Sequence, residues 1–430
     1  MRSAFLSLIF FVFIAAATTA QGAEDVPRSV RSLARQLADD HLAVRDAAEQ
    51  GLIEIGPAAL PYLPAPNAQM PAEVLRRLNR VRQQLELKRS QDATDGRRLS
   101  LKAKARKLSS VLKELEKLSG NRVVDYRQVR GQPNIELPIT VDLQNVPFWQ
   151  ALDRILDEAG MAVYPYAHDK RGRPLRAVAF IESESINKTR SRRAYYHSGF
   201  RFEPIRVVSE RNYRKPLADG MEISVQTAWE PRLTPIRLVL LRNTITATDE
   251  QGRDLKQTSR GRSEIAIDRG PPTFIVPFEL PDRDVRKIMN LHGELEALLP
   301  GLVETFRFDL SSQKERQVKK AGAAVTLESV RQDGPNWDLR IRVRFDDAAG
   351  SLESHLSDWV LRNEVYLQDA TGNKSEPISM QETAEKENEF GMAFKFNIKD
   401  SIDGYTFVYK TPTVVLERRI PFELSNLPLP

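Results

Sequence analysis

Five histidines, His41, His168, His197, His292 and His355, are the side chains best suited to metal binding or proton transfer near neutral pH. They are scattered, and no two stand four apart with a glutamate between them, so the helical two-histidine zinc site of a metalloprotease is absent. The sequence also lacks a Gly-x-Ser-x-Gly nucleophile elbow, a Walker phosphate loop and a dinucleotide fingerprint. Cysteine is missing altogether, which removes thiolate nucleophiles, thiolate zinc sites, iron-sulfur clusters and disulfides together. Among 58 carboxylates, Asp346-Asp347-Ala348-Ala349-Gly350 with Glu353 offers loop oxygens of the kind calcium takes. Its spacing misses the twelve-residue calcium loop and reads better as a β-turn. Glu382, Glu385, Glu387 and Glu389 form an acidic stretch that solvation explains. A glycosidase needs two carboxylates facing each other across a cleft, and spacing along the chain does not place such a pair. The expectation is a non-enzyme with no catalytic residue, no cofactor and no metal site.

The elements that carry these residues are bounded by length and composition. At 430 residues, 41% apolar and 28% charged, the chain has room for two to four domains of ~100–200 residues. Its 64 basic and 58 acidic residues leave a net charge of only +6. The longest apolar run lies at the start, where Arg2 precedes Phe5 to Ala17 and the small residues Thr18-Thr19-Ala20 and Gln21-Gly22-Ala23 follow. This predicts a secretory signal peptide over residues 1–20, cut after Ala20 or Ala23, with a retained anchor as the alternative. No later segment is apolar enough to span a bilayer, so the expectation is an exported protein, periplasmic or associated with the cell envelope, without a transmembrane segment after cleavage.

Val30, Leu33 and Leu37, then Val44, Ala47, Ala48, Leu52 and Ile55, are spaced as helix faces, and Gly56-Pro57 stops the second. Pro71 opens a third, with Val74, Leu78, Val81 and Leu85 on one face. The run Leu37-Ala38-Asp39-Asp40, Val44-Arg45-Asp46-Ala47-Ala48 and Ile55-Gly56-Pro57-Ala58-Ala59-Leu60-Pro61-Tyr62-Leu63 resembles a HEAT-type helical repeat. One or two such units cannot stand alone, because each buries its face on a neighbour. The helical segment is placed at 24–90 and a polar linker at 91–97.

From residue 98 the sequence repeats with a forty-residue period. Leu101 aligns with Val141, Leu108 with Phe148, Leu112 with Leu152, Leu115 with Ile155 and Gly120 with Gly160. Alternation, helical spacing, a capping glycine and a second apolar strand spell a β-α-β unit written twice. The second copy, with Val141-Asp142-Leu143-Gln144-Asn145-Val146-Pro147 before the helix and Ala151-Leu152-Asp153 and Ile155-Leu156 within it, resembles the short N-terminal domain of secretins and TonB-dependent receptors. The resemblance covers about seventy residues, counting a weaker first copy in which Ala105, Arg106 and Lys107 replace Asn-Val-Pro. It implies a small β-α-β fold and a protein-docking role in the periplasm. No pore or barrel pattern follows it, so transport is not carried over.

Phe148-Trp149 opens the second helix with more bulk than that family places there. Burial of both is the ordinary fate of aromatics, and Trp149 is the one suited to an exposed anchor. Basic clusters gather in the same region: Lys102, Lys104, Arg106 and Lys107, then Lys170, Arg171, Arg173 and Arg176, then Lys188, Arg190, Arg192 and Arg193. Solvated faces and a basic hairpin tip account for such clusters, while in an exported protein a basic surface also suits a protein partner or an anionic envelope polymer rather than nucleic acid. The candidate interaction surface is therefore Trp149, Lys170, Arg171, Arg173, Arg192 and Arg193.

After Tyr195 the period is two, as in Phe200-Arg201-Phe202, Ile223-Ser224-Val225 and Leu339-Arg340-Ile341-Arg342-Val343-Arg344-Phe345. Leu241-Arg242-Asn243 with Asp249 and Gly252 returns as Leu361-Arg362-Asn363 with Asp369 and Gly372. Val276-Pro277-Phe278-Glu279-Leu280 returns as Ile420-Pro421-Phe422-Glu423-Leu424, each proline suggesting an edge strand. These echoes predict two Ig-like β-sandwiches, 196–283 and 284–430, with Asp-x-x-Gly turns. Residues 285–299 fit either a helix or a strand, and Gly293 in their middle favours the strand.

The expected fold class is thus multidomain α+β: HEAT-like hairpins, a tandem β-α-β region over 98–195, then two sandwiches. This order is similar to that of exported bacterial proteins carrying a HEAT-repeat label, a resemblance that supplies no activity. The expected function is a non-catalytic docking scaffold of the cell envelope. The alternative is a carbohydrate or envelope-polymer binder using an exposed Trp229, Trp337 or Trp359, which burial of those tryptophans between sheets would count against.

Overall fold

The computed structural model describes residues 17–67, 69–168, 175–183, 193–214, 219–267, 271–311, 316–346, 357–386, 388–398 and 401–430. The fold is mixed α+β, with five α-helices and mostly antiparallel sheets among the described residues. It divides into two compact units, Met1–Ala93 with Lys319–Gly322 and Thr94–Val318 with Ala323–Pro430.

In the first unit α1 (Ala17–Gln36), α2 (Leu42–Ile55) and α3 (Ala72–Thr94) follow the predicted spacing. Residues 1–16, most of the expected signal peptide, lie outside the described residues. Among the described residues no helix is long and apolar enough to cross a membrane. Val30, Leu37, Ala48, Leu52, Leu78, Val81 and Leu85 close the core. Behind that apolar stripe Glu49 accepts from Arg77 (2.6 Å) and Arg80 (2.9 Å), so the arginine face of α3 is tied to α2. The helix runs to Thr94, four residues into the expected linker, helped by a Lys88–Asp92 pair one turn apart.

The second unit opens with β1 (Arg98–Lys107), α4 (Leu108–Ser119), β2 (Val123–Asp125), β3 (Pro138–Pro147), α5 (Phe148–Glu158), β4 (Met161–Val163) and β5 (Val178–Glu182). The forty-residue repeat is real, but its copies are not separate modules. β1 pairs antiparallel with β3, and β2, β5 and β4 form one mixed sheet, so both helices share a single core. A β-α-β unit of this size has too little apolar surface to stand alone, and interleaving the copies doubles it.

The β1–β3 register is internally two-fold. Leu101 faces Leu143, Ala103 faces Val141, and Lys102 meets Asp142 on the axis at 2.7 Å. Ala105 and Asn145, forty residues apart, both bulge out at positive φ (50° and 48°). The Ala105 N–H donates to the Thr140 hydroxyl (3.0 Å) and the Asn145 N–H to the Ser100 hydroxyl (2.9 Å), again a matched pair. Asparagine tolerates that conformation, whereas alanine gives up roughly 1–2 kcal/mol in it. Ala105→Asn, copying the twin position, is therefore expected to stabilise the chain by ~0.5–1 kcal/mol. A urea midpoint that stayed put or fell at unchanged slope would contradict the strain assigned to Ala105.

The remainder is built from β6 (Tyr195–His197), β7 (Phe200–Glu210), β8 (Gly220–Trp229), β9 (Arg237–Asp249), β10 (Arg262–Glu264), β11 (Thr273–Phe278) and β12 (Lys287–Asp309). It continues through β13 (Arg316–Lys320), β14 (Ala323–Asp333), β15 (Asn336–Phe345), β16 (Glu364–Gln368) and β17 (Lys374–Ser375). It ends with β18 (Ser379–Lys386), β19 (Glu389–Asn397) and β20 (Thr406–Pro428). The sheet β11-β8-β7-β6 and the sheet β13-β14-β15-β19-β18 each cover part of one six-stranded sheet, β10-β9-β12-β20-β16-β17. The order of that long sheet is palindromic. Leu241-Arg242-Asn243 lies within β9 and Leu361-Arg362-Asn363 just before β16, and each strand leads into its Asp-x-x-Gly turn. Asp249 and Asp369 each accept two backbone N–H bonds at the turn.

Two expectations change here. The boundary at 283/284 does not hold, because β12 and β20 run antiparallel for 23 residues each through both cores. Leu291, Leu295, Leu299, Ile420, Phe422 and Leu424 belong to the first core, and Phe306, Phe308, Phe407 and Tyr409 to the second. The Ile420–Leu424 echo of Val276–Leu280 is therefore no closing strand of a second domain; the two segments face each other across one core, with Phe274 and Phe422 rings 5.3 Å apart. The ambiguity of 285–299 also has a cause. A register shift between Ile288 and Asn290 puts Ile288 and Leu291 on the same side, a spacing of three that imitates a helical turn.

Candidate interaction surface

Of the six residues predicted to form a surface, Trp149 and Arg193 are among the described residues. Lys170, Arg171, Arg173 and Arg192 lie outside the described residues. Arg193 is engaged, its Nε donating to the Asn426 carbonyl at 3.1 Å. Trp149 is 3% exposed, so it is a core residue and not an anchor. The reason is that α5 is covered twice. Phe148, Leu152 and Ile155 face the β-α-β core, while the stripe of Trp149 and Asp153 is closed over by Tyr196, Ala228 and Arg201 from β6 to β8. Helical spacing shows one apolar face and cannot announce a second neighbour from fifty residues away.

That second contact is polar and buried. Along β7, Phe200 and Phe202 enter the first two-sheet core, and the alternate residues Arg201 and Glu203 face α5. Arg201 donates through Nε to Asp153 Oδ2 (2.8 Å) and through Nη2 to Glu203 Oε2 (2.6 Å), while the Tyr196 hydroxyl donates to Asp153 (2.8 Å). Burial alone would lower the guanidinium, but the two carboxylates outweigh it and hold Arg201 above its ordinary range. A second seam joins Asn121 to Glu230 Oε2 (2.8 Å), with Arg232 Nε on the same oxygen (2.6 Å). Arg232 also donates to the Asp95 carbonyl, and Arg418 reaches the Asp95 carboxylate at 2.5 Å. Next along the chain, a Cβ at Gly96 would sit 2.2 Å from the Gly199 nitrogen, so only glycine lets the strand pass this close. Residues 95–96 are thus held fast, where composition suggested a loose linker.

The partly buried His197 lines the adjoining cleft with Ser198, Gly199 and Asp95 and stacks on Tyr195. Burial, then Arg418, push its imidazole below the usual value, with Asp95 opposing. The other described histidines are elsewhere: His41 is exposed against Asp39, and His168 and His292 are exposed singly, while His355 lies outside the described residues. Among the described residues no group of three or more His, Asp or Glu is placed to hold a metal ion. Residues 347–350 and 353 of the candidate calcium loop are also outside the described set. Trp337 and Trp359 are buried in the second core, and Trp229 packs against the first, so these tryptophans do not form an exposed sugar platform.

What the unit does present is the β1–β3 ribbon. Its inner residues Leu99, Leu101, Leu143 and Val146 are in the core, and its outer face carries Arg98, Ser100, Lys102, Lys104, Thr140 and Asp142. It is a two-stranded sheet, so each strand keeps one edge without a strand partner among the described residues. Of its cations, Lys102 is paired with Asp142 and Arg106 with Glu114 (2.6 Å), while Lys104 is exposed with no ion pair among the described residues. On the far sheet of the same domain, Tyr126, Tyr164 and Tyr166 cluster beside Arg130. Sequence reading passed over these tyrosines because nearly forty residues separate the first from the others, and only the pairing of β2 and β4 on either side of β5 brings them together.

Set against known proteins, the chain matches no family model and no curated protein. Among solved structures, the crystal structure of the conserved domain protein from Bacillus anthracis aligns at 11% identity over 55% of this chain and 91% of its own, with a TM-score of 0.18. The crystal structure of bovine butyrophilin aligns at 11% identity over 47% of this chain and 89% of its own, with a TM-score of 0.15. At such scores neither alignment bears on the fold or the function of this chain.

Proposed function

We propose that the chain is a non-catalytic docking scaffold of the cell envelope, exported by its N-terminal segment, in which the interleaved β-α-β domain meets the partner. The helices of the first unit act as HEAT-like packing elements, and the two Ig-like β cores serve as a rigid support. The observation that carries this reading is the ribbon: two ten-residue strands, rooted in a hydrophobic core, each with one edge that has no strand partner among the described residues. Such an edge is a template for an added strand unless something blunts it. Here the bulges at Ala105 and Asn145 and the row of basic residues blunt it against self-pairing while leaving it attractive to an acidic partner. The buried seams that fix this domain to the first β core serve the same end, because a docking element on a rigid mount loses less freedom on binding.

The test is photo-cross-linking in the producing cell, with the reactive residue placed at Lys104 on the ribbon or at Ser224 on the outside of β8 in the full chain. A discrete adduct from position 104, missing from position 224 and suppressed by Lys102→Glu, is the expected result. Equal or absent adducts from both positions would remove the ribbon as the docking element.

A further inference from the structure

The tyrosine cluster on the opposite sheet has a chemistry of its own. The Tyr126 N–H donates to the Phe180 carbonyl (2.9 Å) and the Tyr164 N–H to the Ala179 carbonyl (2.8 Å), so both residues prolong strands flanking β5. Alternation sends Phe180 into the core and leaves both rings on the outer face. The rings stack with centroids 5.5 Å apart and 19° between planes, and Tyr166 meets Tyr164 edge to face at 5.8 Å. A short 3₁₀ turn then folds Arg130 back, its N–H on the Tyr126 carbonyl (3.2 Å) and its guanidinium carbon 5.4 Å from the centre of the Tyr164 ring.

Two arginines three residues apart have opposite fates here. Arg127 is 3% exposed and saturated by Asp125, Asn134 and the Ile135 carbonyl. Arg130 has no carboxylate partner among the described residues, and a guanidinium lying on an aromatic face still has its N–H fork to offer. Beside it Val129 is 67% exposed and Tyr166 51% exposed. Tyrosine and arginine around a partly dry apolar spot is the composition of a protein-binding hot spot.

Resting on the docking reading above, we propose that this face is a second docking site, and that its occupant is a linear protein segment carrying a carboxylate next to an apolar side chain. The carboxylate takes the Arg130 fork and the apolar group lies between Tyr166 and Val129. Charge complementarity sets the acid, since among the described residues Arg130 has no ion pair and the nearby Asp125 is taken up by Arg127. A glycan would need ring faces laid open, and Tyr126 and Tyr164 spend theirs on each other and on Arg130.

The test selects a displayed library of random twelve-residue peptides on the intact chain, then measures the enriched peptides by fluorescence anisotropy. The expected result is a shared carboxylate next to an aromatic or aliphatic residue. Affinity should fall about tenfold or more with Arg130→Glu and with Tyr166→Ala, and hold with Tyr166→Phe and with Lys104→Glu on the ribbon. Arg130→Gln, which keeps the stem and removes the charge, should behave as Arg130→Glu if folding of the latter is impaired. Peptides that weaken only with Lys104→Glu would overturn this face while leaving the docking reading intact. A library that enriches nothing would count against both. Displacement by hyaluronate or oligothymidylate at lower concentration than by the peptides would overturn the class of occupant.

Discussion

Replacing Arg201 by methionine is expected to destabilise the chain by about 3–5 kcal/mol, among the largest effects of any single substitution. The size follows from what is left behind. Asp153 and Glu203, each with a side chain no more than 7% exposed, lose the cation between them. Two dry carboxylates that close repel each other once the guanidinium is gone, so the loss is that of uncompensated buried charge and not of volume alone. Replacing all three residues by apolar ones of similar volume should recover most of the loss, because the ion cluster exchanges desolvation for attraction with little net gain. Urea unfolding of the single and triple variants measures both claims. A triple variant as weak as the single would show that Arg201 acts through its bulk.

The same residues show how far the amino-acid sequence could be read. The alternation Phe200-Arg201-Phe202 gives the strand and its apolar face, but a period of two does not say what the alternate face meets. Nothing local marks Arg201 as buried; its partner Asp153 is forty-eight residues away on a helix whose polar side looked equally ordinary. The forty-residue repeat was legible to the residue, as the twin bulges and the on-axis Lys102–Asp142 pair attest, because a duplication writes itself in register. What it did not reveal was interleaving, since a β-α-β pattern has the same periodicities whether its strands pair with their own copy or with the other. Of the interaction residues, Trp149 takes the burial that is usual for aromatics because its helix is covered on two sides, and the tyrosines of the far sheet come together only through strand pairing that no short window contains.

Phe422→Ala is expected to cost about 3–5 kcal/mol and to do so in the first β core, although residue 422 lies near the end of the chain. Its ring is fully buried, 5.3 Å from the rings of both Phe202 and Phe274, and directly opposite Gly293 in the β12–β20 pair. That glycine is what favours a strand over a helix in the sequence, and the ring explains why it stands there. A Cβ at Gly293 would stand 2.6 Å from Phe422 Cζ, so the strand carries no side chain where the aromatic lies across it. Gly293→Ala alone should then overpack the site by about 1–3 kcal/mol, and combining it with Phe422→Leu should cost less than the sum of the two single changes. Strict additivity would mean the ring and the glycine do not share the space. Amide exchange adds the second half of the test. In Phe422→Ala the amides of β8 and β11 should exchange faster while those of β14 and β15 hold, because the C-terminal half of β20 closes the first core and its N-terminal half the second. Faster exchange confined to β14 and β15 would instead give the last strand to the second core alone, as a simple division of the chain into consecutive domains would have it.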